Sequence, residues 1–233
     1  MHETIATHLE LLPALQRAET VYDRSTAQHS ARVGTMSALI GEVLGLDSAE
    51  LGILTWVGVL HDIGKLTVSE EVLHKPGSLF TADEWEQLRH HAIAGEQLML
   101  AFGSQLRPMA AVVRSHHERW DGSGYPDGLD GEDLPSFARI IGVADAYDLL
   151  THAQPYRKDA LAHHAAIELV VHGRGTKFEP GVVDAFAHLD RRGVIATIAR
   201  SMQHRPSTIA AVNAARRVGV GTTRHRHLRT SVA

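Results

Sequence analysis

Apolar positions recur along most of this chain at intervals of three and four, and almost nowhere at intervals of two. Ile5, Leu9, Leu12 and Leu15 keep a helical period over residues 3–18, with Pro13 as the potential kink. A second helix is expected from about Thr26, carrying His29, Val33, Met36, Ile40 and Val43 on one stripe until Gly45 and Leu46 close it in a C-cap pattern. His29 therefore points inward. Asp47-Ser48-Ala49-Glu50 and Thr81-Ala82-Asp83-Glu84 both read as capping boxes, in which the first side chain takes the N3 amide and the Glu returns to the cap amide. The first opens a helix through Leu51, Leu54, Val57 and Leu60 into His61-Asp62. The second opens one on which Leu88, His91, Gly95 and Leu98 share a face, with His90 turned to solvent.

Further on, Met109 and Val113 lead to His116 and His117 at the end of a helix expected over residues 108–118. Pro135 reopens helix, and Ile141, Asp145 and Leu149 recur there at four-residue spacing beside Ile140 and Val143. Helices over 160–171 and 180–189 follow, the second with Pro180 just inside its start. No segment sustains period-two alternation, so the expected fold class is all-α, a helical bundle. It divides into a lead-in helix over 1–19, a main domain over 20–189 and a basic extension over 190–233. Two short helices are expected in the extension, through Val194 and Ile198 and through Ile209 and Val212, with a disordered stretch from Gly219 onward.

Composition narrows the chemistry. With 233 residues and 44% hydrophobic content the chain can bury a substantial core. Cysteine is absent, which excludes disulfides and thiolate-held metals and leaves His, Asp, Glu and backbone oxygen as the available ligands. The N-terminus has no signal-peptide pattern and no apolar run is long enough to cross a bilayer, so a cytoplasmic protein is expected. Seventeen histidines are far more than usual for this length. From Asp190 onward there are nine arginines and one acidic residue although the net charge is −4, so an acidic body carries a basic tail. That tail is either a solvated extension or a surface for an acidic partner, nucleic acid or anionic lipid.

The inward polar groups are His29, His61, Asp62, His91, His116, His117 and Asp145, on five helical segments. Each alone has a bland reading as a satisfied core residue. Together, and with a carboxylate in the middle of the Asp145 stripe, they are hard to satisfy without metal. Imidazoles and carboxylates without thiolates suit a two-metal centre, and such a centre favours attack of a metal-bridging hydroxide on phosphorus. Lys65, about one turn beyond His61, stands beside whatever anion the metals hold. Asp121-Gly122-Ser123-Gly124-Tyr125-Pro126-Asp127-Gly128 has too many turn formers to be anything but a shaped loop.

In chain order these segments are His29-Ser30-x-Arg32-Val33, HDIGK from His61 to Lys65, KPG from Lys75 to Gly77, His91 followed by Gly95, HHE from His116 to Glu118, DGSGYP from Asp121 to Pro126, and ARI-x-x-x-AD-x-YD from Ala138 to Asp148. Over residues 20–189 this order resembles the HD-GYP family of cyclic-di-GMP phosphodiesterases, within the HD metal-dependent phosphohydrolase superfamily. The resemblance implies a bundle of about seven helices that binds two or three metals, commonly iron or manganese, with nickel, zinc and magnesium as alternatives. By the same resemblance His29, His61, Asp62, His91, His116 and Asp145 are the ligands, with Asp62 bridging, and His117 serves an additional metal or the substrate edge. Lys65 is implied to lie near the scissile phosphate, and Gly124, Tyr125 and Pro126 to border the site and meet partners such as GGDEF-type diguanylate cyclases.

Two departures bear on the expectation. Family members with three metals place a Glu four residues before the first ligand His, where this chain has Ser25, so two divalent metals are expected. The family's R-P-Y-[RK] stretch reads Gln154-Pro155-Tyr156-Arg157, which removes one positive charge from the expected dinucleotide contacts and leaves Arg157 to compensate. The expected activity is hydrolysis of cyclic-di-GMP to linear pGpG or GMP. Another cyclic dinucleotide or nucleotide as substrate, and a non-catalytic signalling module, are the alternatives. With no sensor region ahead of the matched segment, regulation is expected from a homodimer, a partner or the tail.

Overall fold

In the computed structural model, which describes residues 12–153 and 159–202, side-chain caps open four helices in the first half of the chain. Helix α1 is Leu12–Tyr22, with Leu12, Leu15 and Glu19 buried along one stripe. It runs four residues past the expected end at Ala18. Asp23 accepts from the amides of Ser25 and Thr26, so α2, Arg24–Val43, starts two residues before the expected Thr26. Gly45, in the left-handed region with φ +85°, ends it as the C-cap pattern predicts. Both halves of the Asp47 capping box form, and α3, Ser48–Leu60, delivers His61 and Asp62 at its C-terminal end.

A 3-10 turn, Ile63–Thr67, and α4, Glu70–His74, follow. The Thr81–Glu84 box also forms, but it opens α5, Ala82–Arg89, which stops at His90, and α6, His91–Ala101, starts afresh. The expected single helix is therefore two. The remaining helices are α7, Arg107–Ser115, α8, Ser136–Thr151, α9, His163–His172, α10, Pro180–Arg191, and α11, Val194–Met202. Among the described residues the only sheet-like pairings are isolated bridges, Asp121 with Asp130 and Arg174 with Phe178, in keeping with the all-α class.

One apolar core joins these helices. Val33, Leu39 and Ile40 of α2 meet Leu54, Val57 and Leu60 of α3, Val113 of α7, Ile141 and Val143 of α8, and Phe186 and Leu189 of α10, all essentially inaccessible. Each such side chain stabilises the fold by roughly 1.5–3 kcal/mol through burial. Val194, Ile195 and Ile198 of α11 join the same core, so the first expected helix of the extension packs on the main body. The expected helix through Ile209 and Val212, the stretch from Gly219 onward, and Ile5 and Leu9 lie outside the described residues.

A close backbone contact positions the functional end of this core. A Cβ on Gly64 would lie 1.8 Å from the carbonyl oxygen of His91 and 2.5 Å from the amide nitrogen of Gly95. Only glycine lets the turn after His61-Asp62 lie directly against the first turns of α6.

Candidate metal centre

Three histidines are aimed by the same device. Nδ1 of His61 lies 2.8 Å from the carbonyl oxygen of Gly58, Nδ1 of His116 lies 2.6 Å from that of Val113, and Nδ1 of His91 bonds that of Leu88. A carbonyl only accepts, so Nδ1 carries the proton and Nε2 presents its lone pair inward. Those inward nitrogens crowd together: Nε2 of His91 is 3.3 Å from Nε2 of His116 and 3.2 Å from Nε2 of His117. Nε2 of His61 is buried with no hydrogen-bond partner. Converging lone pairs repel unless a cation sits between them.

The donors fall into two groups that share one residue. Ligand atoms of Asp62, His91, His116 and His117 lie within 4.8 Å of one another, and so do those of His29, His61 and Asp62. Asp62 divides its oxygens between the two. Its Oδ1 is 3.3 Å from Nε2 of His91 and 4.0 Å from that of His116, while its Oδ2 is 3.4 Å from Nε2 of His61 and 3.6 Å from that of His29. Asp145 joins the second group, with Oδ1 at 3.0 Å from Nε2 of His29 and 3.8 Å from that of His61. Nitrogen and carboxylate donors, an orphaned buried imidazole nitrogen and a shared carboxylate fit divalent cations.

Lys65 is bound to the shared carboxylate, its Nζ 2.6 Å from Oδ2 of Asp62. Burial opposes ionisation of Asp62, but the ammonium of Lys65, with His61 and His91, outweighs it and holds the carboxyl well below its usual range. For His116 burial dominates, reinforced by the neighbouring imidazoles, and its pKa falls to about 3. His61 and His117 are also lowered, burial being the main cause. His29 moves the other way: burial is outweighed by hydrogen bonds to Asp145 and Asp148, and its pKa rises to about 10.

These directions fix how the metal-free protein responds to pH. Below the ordinary histidine value of about 6.5 the unfolded chain takes up protons that native His116, His61 and His117 refuse, so stability falls with pH, by up to roughly 1 kcal/mol per unit for each histidine. For His116 the fall continues toward about 3. Above about 6.5 the native state instead holds the proton on His29 that the unfolded chain releases, and that contribution is lost as pH rises toward about 10. Urea titrations of the metal-free protein from pH 5 to 9 are expected to place maximum stability near neutrality. His116→Asn should flatten the acid limb.

Two buried carboxylates at the site are not singled out by the sequence pattern. Asp148 accepts from Nδ1 of His29 at 2.7 Å and is clasped by Arg32, Nε to Oδ1 at 2.7 Å and Nη2 to Oδ2 at 2.8 Å. It lies one turn after Asp145 on α8, as Arg32 lies one turn after His29 on α2, so helical spacing was the available signal. Asp148 orients the imidazole in the way outer carboxylates orient metal-binding histidines, and Asp148→Asn is expected to weaken metal affinity about 10–100-fold in a chelator competition. Glu19, 2% exposed, accepts from Oγ of Ser30 at 3.3 Å through Oε1 while Oε2 has no partner. Burial, with the charge of Asp62, pushes its pKa up to about 8. Its place on the Leu12–Leu15 stripe was the signal.

The GYP loop borders this pocket. The Tyr125 ring stacks on His117 with centroids 4.8 Å apart and an interplanar angle of 26°, and the Arg89 guanidinium lies 5.3 Å from the Tyr125 centroid. Oε1 of buried Glu118 accepts from the amides of Asp127 and Gly128 at 2.6 and 3.0 Å, and Arg114 clamps the Asp127 carboxylate. A Cβ at Gly124 would lie 2.4 Å from Cα of Glu118, so the loop folds back onto the HHE segment only with glycine there. Pro126 follows Tyr125 through a cis peptide bond. Gln154 and Arg157 lie outside the described residues.

An all-α bundle that gathers two groups of metal-competent donors around one aspartate defines a helical domain with a candidate metal centre. A family model described as HD domain matches residues 13–182. The chain belongs to the HD domain family. It is 41% identical over 188 residues to the cyclic di-GMP phosphodiesterase response regulator RpfG of Xanthomonas campestris, covering 79% of this chain and 49% of that one. It is 34% identical over 179 residues to 3'3'-cGAMP-specific phosphodiesterase 2 of Vibrio cholerae, covering 76% of this chain and 34% of that one. The chain thus spans about half or less of these relatives' length. Among solved structures, Bd1817, an HDG"Y"P protein of Bdellovibrio bacteriovorus, shares the fold with a TM-score of 0.58 at 20% identity, over 72% of this chain and 53% of that one. Among the described residues no helix is long and apolar enough to cross a membrane.

Proposed function

We propose that this chain is a metal-dependent phosphodiesterase that hydrolyses cyclic-di-GMP to pGpG or on to GMP. The observation that carries the reading is Asp62, whose two oxygens each face a different donor group. His29, His61, Asp145 and Oδ2 of Asp62 would hold one divalent cation, and His91, His116, His117 and Oδ1 of Asp62 the other, iron and manganese being the cations that the HD-GYP resemblance implies and that nitrogen and oxygen donors can hold. Bound there, the cations would supply Lewis acidity and a hydroxide nucleophile at neutral pH. The chain's own residues do the rest. His61, His91 and His116, locked by backbone carbonyls, keep neutral imidazoles facing the pocket, and the burial that lowers the pKa of His61 and His116 prevents protonation from emptying it. Lys65 presents an ammonium at the shared carboxylate, where it can neutralise charge on the phosphoryl oxygens or protonate the leaving oxygen.

Both the resemblance of the HDIGK, HHE and GYP segments and the named activity of the Xanthomonas relative support this substrate. A second reading keeps the site and changes the substrate to another cyclic dinucleotide. It is favoured by Gln154 in the family's arginine position and by the 3'3'-cGAMP-specific relative. Anaerobic turnover of both dinucleotides by protein reconstituted with Mn(II) or Fe(II), with products separated by chromatography, decides between them. Formation of pGpG or GMP from cyclic-di-GMP, absent in Asp62→Ala, is the expected result. Preferential cleavage of 3'3'-cGAMP would establish the second reading, and no cleavage of either with metal bound would overturn both.

A further inference from the structure

A cyclic dinucleotide carries two phosphodiesters, and only one is at the metals when it is cut. The other keeps its negative charge, and the chain has Gln154 where the family pattern supplies an arginine. A pair of cations lies elsewhere, one on the segment that follows HHE and one on the turn before α10. The amide of Trp120 donates to the carbonyl of Lys177 at 3.2 Å and that of Asp121 to Thr176 at 2.8 Å, so the segment after HHE runs alongside the turn before α10. This pairing sets Arg119 next to Lys177, close enough for their charges to oppose each other.

Neither cation is well matched within the protein. Arg119 has a long ion pair with Asp121: Nη2 donates to Oδ2 at 3.5 Å, while Nε, buried without a hydrogen-bond acceptor, lies 3.5 Å from Oδ1, which already accepts from the amide and hydroxyl of Ser123. Among the described residues Lys177 has no ion pair: its ammonium lies 5.1 Å from the centroid of the Phe178 ring. The side chain is exposed enough to reach a ligand. Partial desolvation by the surrounding protein nonetheless lowers its pKa, and the carboxylate whose charge reaches it is that of the candidate ligand Asp145. Two adjacent, partly desolvated cations beside a metal-facing carboxylate form a place that an anion relieves.

Resting on the substrate reading above, we propose that Lys177, with Arg119 beside it, anchors the uncleaved phosphodiester of the cyclic dinucleotide and so compensates for Gln154. The test compares cyclic-di-GMP with bis(p-nitrophenyl) phosphate, which offers a single phosphodiester, in wild type, Lys177→Ala and Lys177→Arg. For Lys177→Ala the ratio of kcat/KM on the dinucleotide to kcat/KM on the small ester is expected to fall about tenfold, through KM rather than kcat. Lys177→Arg should restore most of the ratio. Metal content by mass spectrometry should be the same in all three, and equilibrium binding of cyclic-di-GMP to metal-loaded Lys65→Ala should weaken by a similar factor when Lys177→Ala is added. An unchanged ratio, or equal losses on both substrates, would overturn the anchor while leaving the phosphodiesterase in place. A wild-type protein that cleaves the small ester but neither cyclic-di-GMP nor 3'3'-cGAMP would instead remove the substrate reading, and the anchor with it.

Discussion

Asp62→Ala is expected to empty both donor groups at once. Each group loses the oxygen that completes it, and the imidazoles that remain face one another at 3.2–3.3 Å around His91 with nothing to offset their lone pairs. Changes in outer residues around a metal already cost about 10–100-fold in affinity, so loss of the shared ligand should cost ~10³-fold or more in turnover and leave little metal after desalting. Elemental analysis and turnover on the same preparation provide the check. A variant that keeps two metals per chain would show that the two groups stand independently of Asp62.

Lys65→Ala is the second large effect, of a different kind. The side chain contacts Asp62 at 2.6 Å but is not itself a donor to a cation, so the metals should stay. Removing one preorganised positive donor from a site of developing negative charge typically costs about 10²–10³-fold in kcat, or roughly 3–4 kcal/mol. Metal content equal to wild type with kcat reduced to that extent, and KM changed far less, is the expected outcome. Loss of metal in this variant would instead assign Lys65 a structural role in holding the Asp62 carboxylate.

Much of this was legible in the sequence because helical spacing and caps act locally. The Asp47 and Thr81 boxes form as written, and the stripes through His29, His61 and Asp145 carry those side chains to the interior. What spacing hides is a break that preserves the period. Leu88 and His91 keep their separation through His90, so the pattern shows one helix where the chain makes two, and the break lets the His91 ring bond the Leu88 carbonyl from the first position of α6. The early start of α2 was hidden for a related reason, since Asp23, Ser25 and Thr26 are all competent caps and only the fold shows which is used.

Long-range pairing was less accessible still. Asp148 and Arg32 stand in quoted motifs, but that they clasp each other across 116 residues depends on α2 packing on α8. Arg119 and Lys177 are brought near each other because the amides of Trp120 and Asp121 donate to the carbonyls of Lys177 and Thr176, and no periodicity encodes that. Glu19 occupies a position that the Leu12–Leu15 stripe marks as buried, yet a glutamate on an apolar stripe reads as the edge of that stripe until its surroundings are seen.

The central claim is that one carboxylate joins two cations, and electron paramagnetic resonance of the protein loaded anaerobically with two equivalents of Mn(II) tests it most directly. A carboxylate shared between neighbouring Mn(II) ions couples their spins, so the account predicts an exchange-coupled spectrum that Asp62→Ala abolishes. A six-line spectrum of isolated Mn(II), unaltered from one equivalent to two, would contradict it.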